Sequence, residues 1–447
     1  NGKAGLLFVD YRSGDTLQMS GEASVILDSP EIAAFQGAER LWTFRPRRIV
    51  RRRAALALRW QTTPEGISPA SEMTGDWQST AERLRASELA QRWRPFKVTK
   101  IVDESASIRS FHLLPDDGAG LLPHQAGQHL PVRVQLPDNE KALIRHYTLS
   151  VAPSDGFYRI SVKRDGVVSR YLHDHLQVGD RLETRAPAGD FTIDAQETRP
   201  AVLIAAGVGI TPMLAMLRHL VYEGRRKQRM RPTWFIQSAR CKAERPFARE
   251  LDALLAASQG AFRLVRVLSQ TEEAEQGFDY DIAGRSDMAL LSQVLPFNDY
   301  DFYLCGPPQF TQALYDGLRS YNIADPRIHA EAFGPSSLQR HSDTAQPAAQ
   351  LPPVATRDVP VTFMTSLKEA RWTPQSGSLL ELAEARGLSP EYSCREGHCG
   401  SCKTRLLQGA VTYKTAPSAS VAEGEVLICC AVPAQPEGDA EPIQLAL

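Results

Sequence analysis

The chain has 447 residues, and its 51 Lys and Arg against 52 Asp and Glu leave a formal net charge of −1. This balance gives no reason to expect a nucleic-acid-binding protein, and the longest strongly apolar stretch, 201–206, is too short to span a bilayer. Five of the seven Cys lie between Cys394 and Cys430, which favours a metal site in a reducing, cytoplasmic compartment over a disulfide framework.

Composition and turn residues divide the chain into a β-rich segment, two linkers and three domains. Short strand-like runs separated by Gly and Pro predict a small antiparallel β-barrel. Farther along, apolar runs alternate with helical patterns, which predicts an α/β domain with a parallel sheet. The predicted bounds are 1–60 (β-rich segment), 61–94 (linker with a short helix over 80–93), 95–198 (barrel), 199–335 (α/β domain), 336–356 (linker) and 357–447 (a compact last domain). The predicted strands of the parallel sheet are 201–206, 233–238, 263–269, 301–305 and 327–333.

The N-terminal segment starts with Asn1 rather than Met, so we expect the natural N-terminus to lie upstream. Two apolar runs around the turn at 12–15 predict a β-hairpin. Between Arg45 and Trp60 there are seven Arg and no acid, which fits either an anion or partner patch or a solvated strand face. Three short runs resemble the end of a pyridoxamine-phosphate-oxidase-like split barrel, which implies an incomplete barrel of a family that pairs two subunits around FMN. These runs are 5–11, 17–21 and 37–40.

A candidate flavin segment ends an apparent strand of the barrel and consists of Arg145, His146, Tyr147 and Thr148. An Arg can pair with a flavin phosphate, a Tyr can lie on the isoalloxazine, and a Thr hydroxyl can reach flavin N5. The same alternation also occurs in ordinary surface strands. Downstream, a helical pattern opens in a way that suits a pyrophosphate at a helix N-terminus. Its first residues are Gly166, Val167, Val168 and Ser169.

A glycine-rich turn follows the first predicted strand of the α/β domain and consists of Ala206, Gly207, Val208, Gly209, Ile210 and Thr211. Glycines in such a turn let backbone amides approach a pyrophosphate. We expect Thr211 to be the N-cap and Pro212 the first residue of the following helix. Another strand of this sheet ends in Cys305, Gly306 and Pro307, at the edge where α/β domains bind ligands.

The glycine-rich turn suits a nicotinamide dinucleotide, but the motif does not distinguish NADH from NADPH. The preference between the two depends on the charge near the adenosine 2′ position, after the second strand. Arg240 and Lys242 follow that strand and could hold a 2′-phosphate. Alternatively, they belong to an ordinary solvated turn.

The cysteine cluster has a diagnostic spacing. Four residues separate Cys394 from Cys399, two separate Cys399 from Cys402, and Cys429 follows. This is the spacing of a plant-type ferredoxin [2Fe–2S] site. A zinc site or unrelated loop cysteines are the alternatives, although zinc usually takes paired Cys or Cys/His ligands and only one Cys-x-x-Cys pair is present. The run 426–433 resembles the ferredoxin pattern Leu-x-Cys-x-x-x-Pro with Cys429 as the ligand, and strand alternation then predicts that Cys430 points the other way, as a core residue.

In this order the segments over 96–335 resemble the ferredoxin-NADP reductase superfamily. The resemblance to its flavohemoglobin-like and phenylacetate-oxygenase-reductase-like branches is close. A ferredoxin part follows these segments in the chain. The resemblance implies a multidomain protein with a six-stranded antiparallel FAD barrel, an α/β parallel-sheet NAD(P) domain and a β-grasp [2Fe–2S] domain. The implied cofactors are therefore FAD, a [2Fe–2S] cluster and NAD(P)H.

The same resemblance implies roles for individual residues. The flavin segment would bind FAD with Thr148 at the reacting edge, and His129 would lie near the flavin. Cys305 would lie beside the nicotinamide, and Glu331 would position the hydride transfer. Phe333, followed by Gly334, would cover the flavin until the nicotinamide displaces it.

These inferences predict an NAD(P)H-dependent oxidoreductase. Nicotinamide carries two electrons as hydride and a [2Fe–2S] cluster takes one, whereas a flavin accepts two and releases them singly. The predicted acceptor is an oxygenase component or another redox protein. One alternative is a flavin-dependent oxidase or reductase whose N-terminal split barrel is the substrate site. The other is a non-enzymatic redox-sensing or docking module.

Overall fold

The computed structural model describes most of the chain. The described residues are 2–35, 37–61, 74–137, 139, 142–332, 338–341, 351–388, 390–392, 397, 400–413, 417, 421–435 and 442–447. Most of the predicted linker 336–356 lies outside them. Within the described residues, no helix combines the length and the apolar character that crossing a bilayer requires.

The N-terminal segment forms a three-stranded antiparallel sheet in the order β1–β2–β3. Its strands are β1 (Gly2–Val9), β2 (Thr16–Ile26) and β3 (Leu41–Arg52), with helix α1 (Pro30–Ala34) between the last two. The predicted hairpin is confirmed, since β1 and β2 pair along their whole length around a turn with Gly14 at a φ of 75°. The arginine run lies largely on β3, where Arg51 pairs with Asp15 at 2.8 Å and Arg47 pairs with Glu22.

The predicted helix over 80–93 is displaced toward the N-terminus. Helix α2 spans Trp77–Glu88 because Asp76 and Ser79 form a reciprocal capping box. The Asp76 carboxylate accepts from the Ser79 amide at 2.8 Å, and the Ser79 hydroxyl accepts from the Asp76 amide at 2.9 Å. The predicted bounds were therefore wrong at both ends.

The predicted antiparallel barrel is confirmed as a six-stranded sheet in the order β7–β6–β9–β4–β5–β8. Its elements are β4 (Arg94–Asp103), β5 (Ile108–Pro115), β6 (His129–Val134), β7 (Leu143–Thr148), β8 (Tyr158–Lys163), helix α3 (Val167–His175) and β9 (Arg181–Thr184). Alternate residues of β6 are buried, as a strand with one face toward a core requires. A bridge between Leu149 and Ile160 connects the two ends of the sheet order.

The predicted α/β domain is confirmed as a parallel sheet in the order β13–β12–β11–β10–β14–β15. Its strands are β10 (Ala201–Ala206), β11 (Thr233–Ala239), β12 (Phe262–Leu268), β13 (Ile282–Ala283), β14 (Asp301–Gly306) and β15 (Ile328–Ala332). Its helices are α4 (Ile210–Lys227), α5 (Ala248–Ala257), α6 (Met288–Val294) and α7 (Pro308–Ser320). Strand β10 is buried almost throughout, as expected for a central parallel strand. Strand β13 was not predicted, because two residues carry no periodic pattern.

The last domain combines a mixed five-stranded sheet in the order β17–β16–β22–β18–β20 with a separate β19–β21 pair. Its elements are β16 (Val359–Phe363), β17 (Lys368–Trp372), helix α8 (Leu379–Ala385), β18 (Lys403–Gln408), β19 (Val411–Tyr413), β20 (Glu425–Leu427), β21 (Ala431–Pro433) and β22 (Ile443–Leu445). Strands β16 and β22 are parallel neighbours, and the other pairs are antiparallel. Trp372 is fully buried in the core and donates to the Gly377 carbonyl at 2.8 Å. This arrangement agrees with the predicted β-grasp domain.

A partly buried ion network joins the barrel to the α/β domain. Glu250 of α5 accepts from Arg159 of β8 at 2.8 Å and from Arg218 of α4 at 2.5 Å. Arg218 also donates to both carboxylate oxygens of Asp155, at 2.8 and 2.5 Å. Burial by itself would raise the pKa of Glu250, but the two guanidinium groups outweigh it and lower that pKa below its ordinary value.

Candidate functional site

The candidate flavin segment forms strand β7. Arg145 is exposed, and no carboxylate pairs with it among the described residues. Burial raises the pKa of Tyr147 to about 12 against the opposing charge of Arg145, so its hydroxyl stays protonated. Thr148 is only 4% exposed, yet its Oγ1 has no hydrogen-bond partner among the described residues. A buried hydroxyl of this kind is costly without a partner, which fits a site that a polar flavin atom completes.

Two histidines lie beside Thr148. Strand alternation puts His146 and Thr148 on one face of β7, and His129 of β6 is opposite Thr148. The rings of His129 and His146 meet edge to face at 4.8 Å. The His129 ring also lies against Gly189, where an added Cβ would come within 2.9 Å of Nδ1. The structure therefore brings together the predicted residues His129, His146 and Thr148.

The predicted pyrophosphate loop is the beginning of α3. Gly166 is the N-cap, and Val167 is the first helical residue. The Ser169 hydroxyl donates to the Gly166 carbonyl at 2.9 Å and accepts from the Asp165 amide at 3.0 Å. Val167 is exposed, whereas Val168 is buried. Ser169 thus stabilises the loop that precedes the helix, and pyrophosphate binding there stays a prediction.

The two predicted nucleotide motifs meet at one edge of the parallel sheet, where strand order reverses between β10 and β14. A Cβ added to Gly209 would lie 2.2 Å from the Cys305 carbonyl oxygen, and one added to Gly306 would lie 3.0 Å from Ala206 Cβ. Gly207 has a φ of 58°, which L side chains rarely adopt. Glycine is required here for close backbone packing and for the turn.

The predicted cap of α4 is wrong. A 3₁₀ turn over Gly207–Gly209 runs directly into the helix, which begins at Ile210. Thr211 is therefore the second residue of the helix, and its hydroxyl donates to the Val208 carbonyl at 3.0 Å. The glycine turn and α4 form one continuous helical stretch, and its extended N-cap residue is Ala206 rather than Thr211.

Cys305 and Glu331 are register partners on β14 and β15. Cys305 is completely buried, and burial together with the Glu331 carboxylate raises the pKa of its thiol well above the ordinary value. The thiol therefore stays protonated at neutral pH. The predicted residues Phe333 and Gly334 lie outside the described residues, and Pro307 is the residue before α7.

A cavity of about 410 Å³ lies beyond the ends of β11 and β12. Its lining residues are Cys241, Lys242, Ala243, Gln270, Glu272, Glu273 and Ala274. Arg240 donates to both carboxylate oxygens of Glu244, with Nε at 2.9 Å. Lys242 pairs with Asp279 at 2.9 Å. Both basic side chains proposed for a 2′-phosphate are thus already paired with acids.

The ferredoxin domain holds two of the predicted cluster ligands in its core. Cys402 and Cys429 are 3% and 7% exposed and are not in disulfides, whereas Cys394 and Cys399 lie outside the described residues. Gly397 and Gly400, in the same loop, have φ values of 80° and 75°. Buried thiols beside a loop that only Gly can follow fit thiolate ligation of a [2Fe–2S] cluster.

The argument from strand alternation for Cys430 is wrong. Residues 428–430 form a turn between β20 and β21, so adjacent side chains need not point to opposite faces. Cys430 Sγ lies 3.5 Å from the Leu427 carbonyl oxygen and close to Gly397, where an added Cβ would be 2.8 Å away. Cys430 thus packs against the cluster loop rather than away from it.

Sequence reasoning missed a contact between the barrel and the ferredoxin domain. Ser401 Oγ lies 2.8 Å from His146 Nε2. Glu391 accepts from Trp93 Nε1 at 3.0 Å and from Arg185 Nη1. The one available signal was the position of Ser401 inside Cys-x-x-Cys, because neither Glu391 nor Trp93 belongs to a motif.

Comparison with known families agrees with these three domains. Residues 95–193 match the oxidoreductase FAD-binding domain, 203–316 the oxidoreductase NAD-binding domain, and 368–434 the 2Fe-2S iron-sulfur cluster binding domain. The protein is thus an oxidoreductase with sites for FAD, NAD(P)H and a [2Fe–2S] cluster. The chain thus combines an oxidoreductase FAD-binding domain, an oxidoreductase NAD-binding domain and a 2Fe-2S domain, in that order. These matches speak against the non-enzymatic alternative.

Individual relatives cover different fractions of the chain. The flavohemoprotein of Bacillus subtilis strain 168 is 41% identical over 255 residues, which are 56% of this chain and 62% of that protein. The flavohem-like FAD/NAD binding domain of nitric oxide dioxygenase from Vibrio cholerae O1 biovar El Tor is 37% identical. The match covers 54% of this chain and 99% of that domain, with a TM-score of 0.48. An intact type IV self-sufficient cytochrome P450 monooxygenase shares the fold over 95% of this chain and 48% of its own, with 19% identity and a TM-score of 0.56. The chain thus spans less than two thirds of the curated flavohemoprotein that it matches.

Proposed function

We propose that the protein oxidises NAD(P)H and delivers the electrons singly to a protein acceptor such as an oxygenase component. One observation carries this proposal. The strand with the flavin motif touches the loop with the cluster cysteines, through His146 and Ser401. A hydride donor site, a flavin site and a one-electron cluster in one chain suit a conversion from two-electron to one-electron transfer. The clustered cysteines, of which Cys402 and Cys429 are not in disulfides, also support a reducing, cytoplasmic location.

Individual residues of the three sites have distinct roles in this proposal. Arg145 would pair with a flavin phosphate, Tyr147 would lie on the ring system, and the Thr148 hydroxyl would donate to it. FAD supplies the acceptance of hydride and the release of single electrons when it is bound. Cys402 and Cys429, with Cys394 and Cys399, would hold the cluster. The protonated Cys305 thiol would pack beside the nicotinamide without adding charge.

Steady-state assays with two acceptors test this function. The holoprotein should reduce both ferricyanide and cytochrome c with NADH, because ferricyanide can accept electrons directly from flavin. Thr148→Val removes the buried hydroxyl at nearly constant volume, and we expect it to lower both rates in parallel. A holoprotein that retains flavin and cluster but reduces neither acceptor with either nucleotide would contradict the proposal.

We further propose NADH as the preferred nucleotide. Glu244 and Asp279 already pair with the two basic groups after β11, and two glutamates line the adjoining cavity. A 2′-phosphate would have to displace these acids or lie beside them.

Nucleotide preference can be shifted by one substitution. We expect wild-type kcat/KM to be at least about tenfold higher for NADH than for NADPH. Glu244→Gln releases the charge of Arg240, so it should raise kcat/KM for NADPH several-fold and leave the NADH value unchanged. Glu369→Gln, on the exposed face of β17, is the matched control. Equal wild-type use of both nucleotides would make this inference wrong.

A further inference from the structure

The contact between Ser401 and His146 joins two functional segments. Ser401 directly precedes Cys402 in the chain. His146 is two residues from Thr148 and on the same face of β7. One hydrogen bond of 2.8 Å therefore connects the flavin strand with the cluster loop. The edge-to-face contact of His129 with the His146 ring supports the ring in this position.

A second contact, centred on Glu391, involves the same two domains. Glu391 precedes the first cluster cysteine by three residues. Its carboxylate accepts from Trp93 and from Arg185. Two guanidinium groups lie over the Trp93 ring, with Arg185 at 4.7 Å and Arg133 at 4.8 Å from its centroid. Arg133 is itself held by two hydrogen bonds of 2.8 and 2.7 Å to Glu183.

The ion pair of the second contact is partly open to solvent. The side chains of Arg185 and Glu391 are 34% and 38% exposed, so their ion pair is open to salt. Charge-assisted bonds to a carboxylate are stronger than neutral ones, and here an indole N–H adds to them. Such a contact fixes orientation without a large apolar interface.

We propose that Ser401–His146 and Glu391–Arg185–Trp93 form a two-point docking latch that holds the ferredoxin domain on the FAD barrel. All five are positioning residues in this role. The latch keeps the cluster loop against the flavin strand, which is the arrangement that internal electron delivery needs. This inference rests on the proposed function.

The test uses the full holoprotein with Glu391→Gln and Ser401→Ala, and with Glu369→Gln as control. After anaerobic mixing with NADH, flavin bleaching should be unchanged in all variants. Cluster bleaching should be about tenfold slower in Glu391→Gln, which loses a charge-assisted bond. The wild-type rate of cluster bleaching should fall with increasing salt, and the Glu391→Gln rate should not. Ser401→Thr, which retains the hydroxyl, should restore the rate lost in Ser401→Ala.

A readout independent of turnover separates the latch from the function. Small-angle X-ray scattering should give a larger radius of gyration for Glu391→Gln than for wild type or Glu369→Gln. Equal radii and equal rates of cluster bleaching would overturn the latch and leave the proposed function intact. A wild-type protein without NADH-dependent flavin bleaching would overturn the proposed function, and scattering would still test the docking. Loss of the dithionite-reduced cluster signal in Ser401→Ala would show a structural role and overturn the assignment of that residue.

Discussion

Cys429→Ser should abolish the rhombic EPR signal of the reduced cluster, whereas Cys430→Ser should largely preserve it. Cys429 is buried in the same ferredoxin core as Cys402, and its distance in sequence from Pro433 matches the ferredoxin pattern. Cys430 Sγ is instead directed at the Leu427 carbonyl, 3.5 Å away. A thiolate ligand is needed for each of the four positions, so the loss of one should also remove most of the iron.

The two variants control for each other, because they differ by one position and make the same change. With Cys429→Ser, NADH should still bleach the flavin, and ferricyanide reduction should survive. Cytochrome c reduction should fall steeply. The assignment would be reversed if Cys430→Ser lost the signal and Cys429→Ser kept it. The structure allows this outcome sterically, because Cys430 packs against Gly397 of the cluster loop.

Glu250→Gln should clearly destabilise the barrel and the α/β domain. It removes the carboxylate shared by two arginines, and the Arg159 side chain is only 6% exposed. Arg159 then loses its carboxylate, while Arg218 keeps Asp155, and leaving a largely buried donor without its partner costs about 1–3 kcal/mol. Thermal unfolding followed by flavin fluorescence measures this loss.

The stability lost in Glu250→Gln should depend on pH in a defined direction. The folded-state pKa of Glu250 is lowered from 4.5, so its stabilising contribution is present above that value and is lost as pH falls through the folded pKa. The difference in stability between wild type and Glu250→Gln should therefore shrink in acid. Asp174→Asn is the control, because Asp174 forms an exposed pair with Arg164 at 2.9 Å and should change stability little. Similar losses of stability in Glu250→Gln and Asp174→Asn would contradict the expectation that burial of the ion pair determines the cost.

The amino-acid sequence by itself determined the order and the chemistry of the three domains. The cysteine spacing before Cys402 and the Gly207–Gly209 turn are local signals, because a few residues at close spacing carry both the backbone requirement and the ligand chemistry. Alternating strand and helix patterns likewise sufficed for the parallel sheet, since periodicity reports which face of each element is buried.

Only the tertiary structure decided the features that depend on distant residues or on exact turn geometry. Ser401 and His146 are 255 positions apart, and Glu391 and Arg185 are 206 positions apart. Neither pair leaves a periodic or spaced pattern in the sequence. The turn at 428–430 removed the alternation assumed for Cys430, and the 3₁₀ turn before α4 removed the cap assumed for Thr211. Local propensity could not settle these points, because packing between the motifs selects the backbone conformation there.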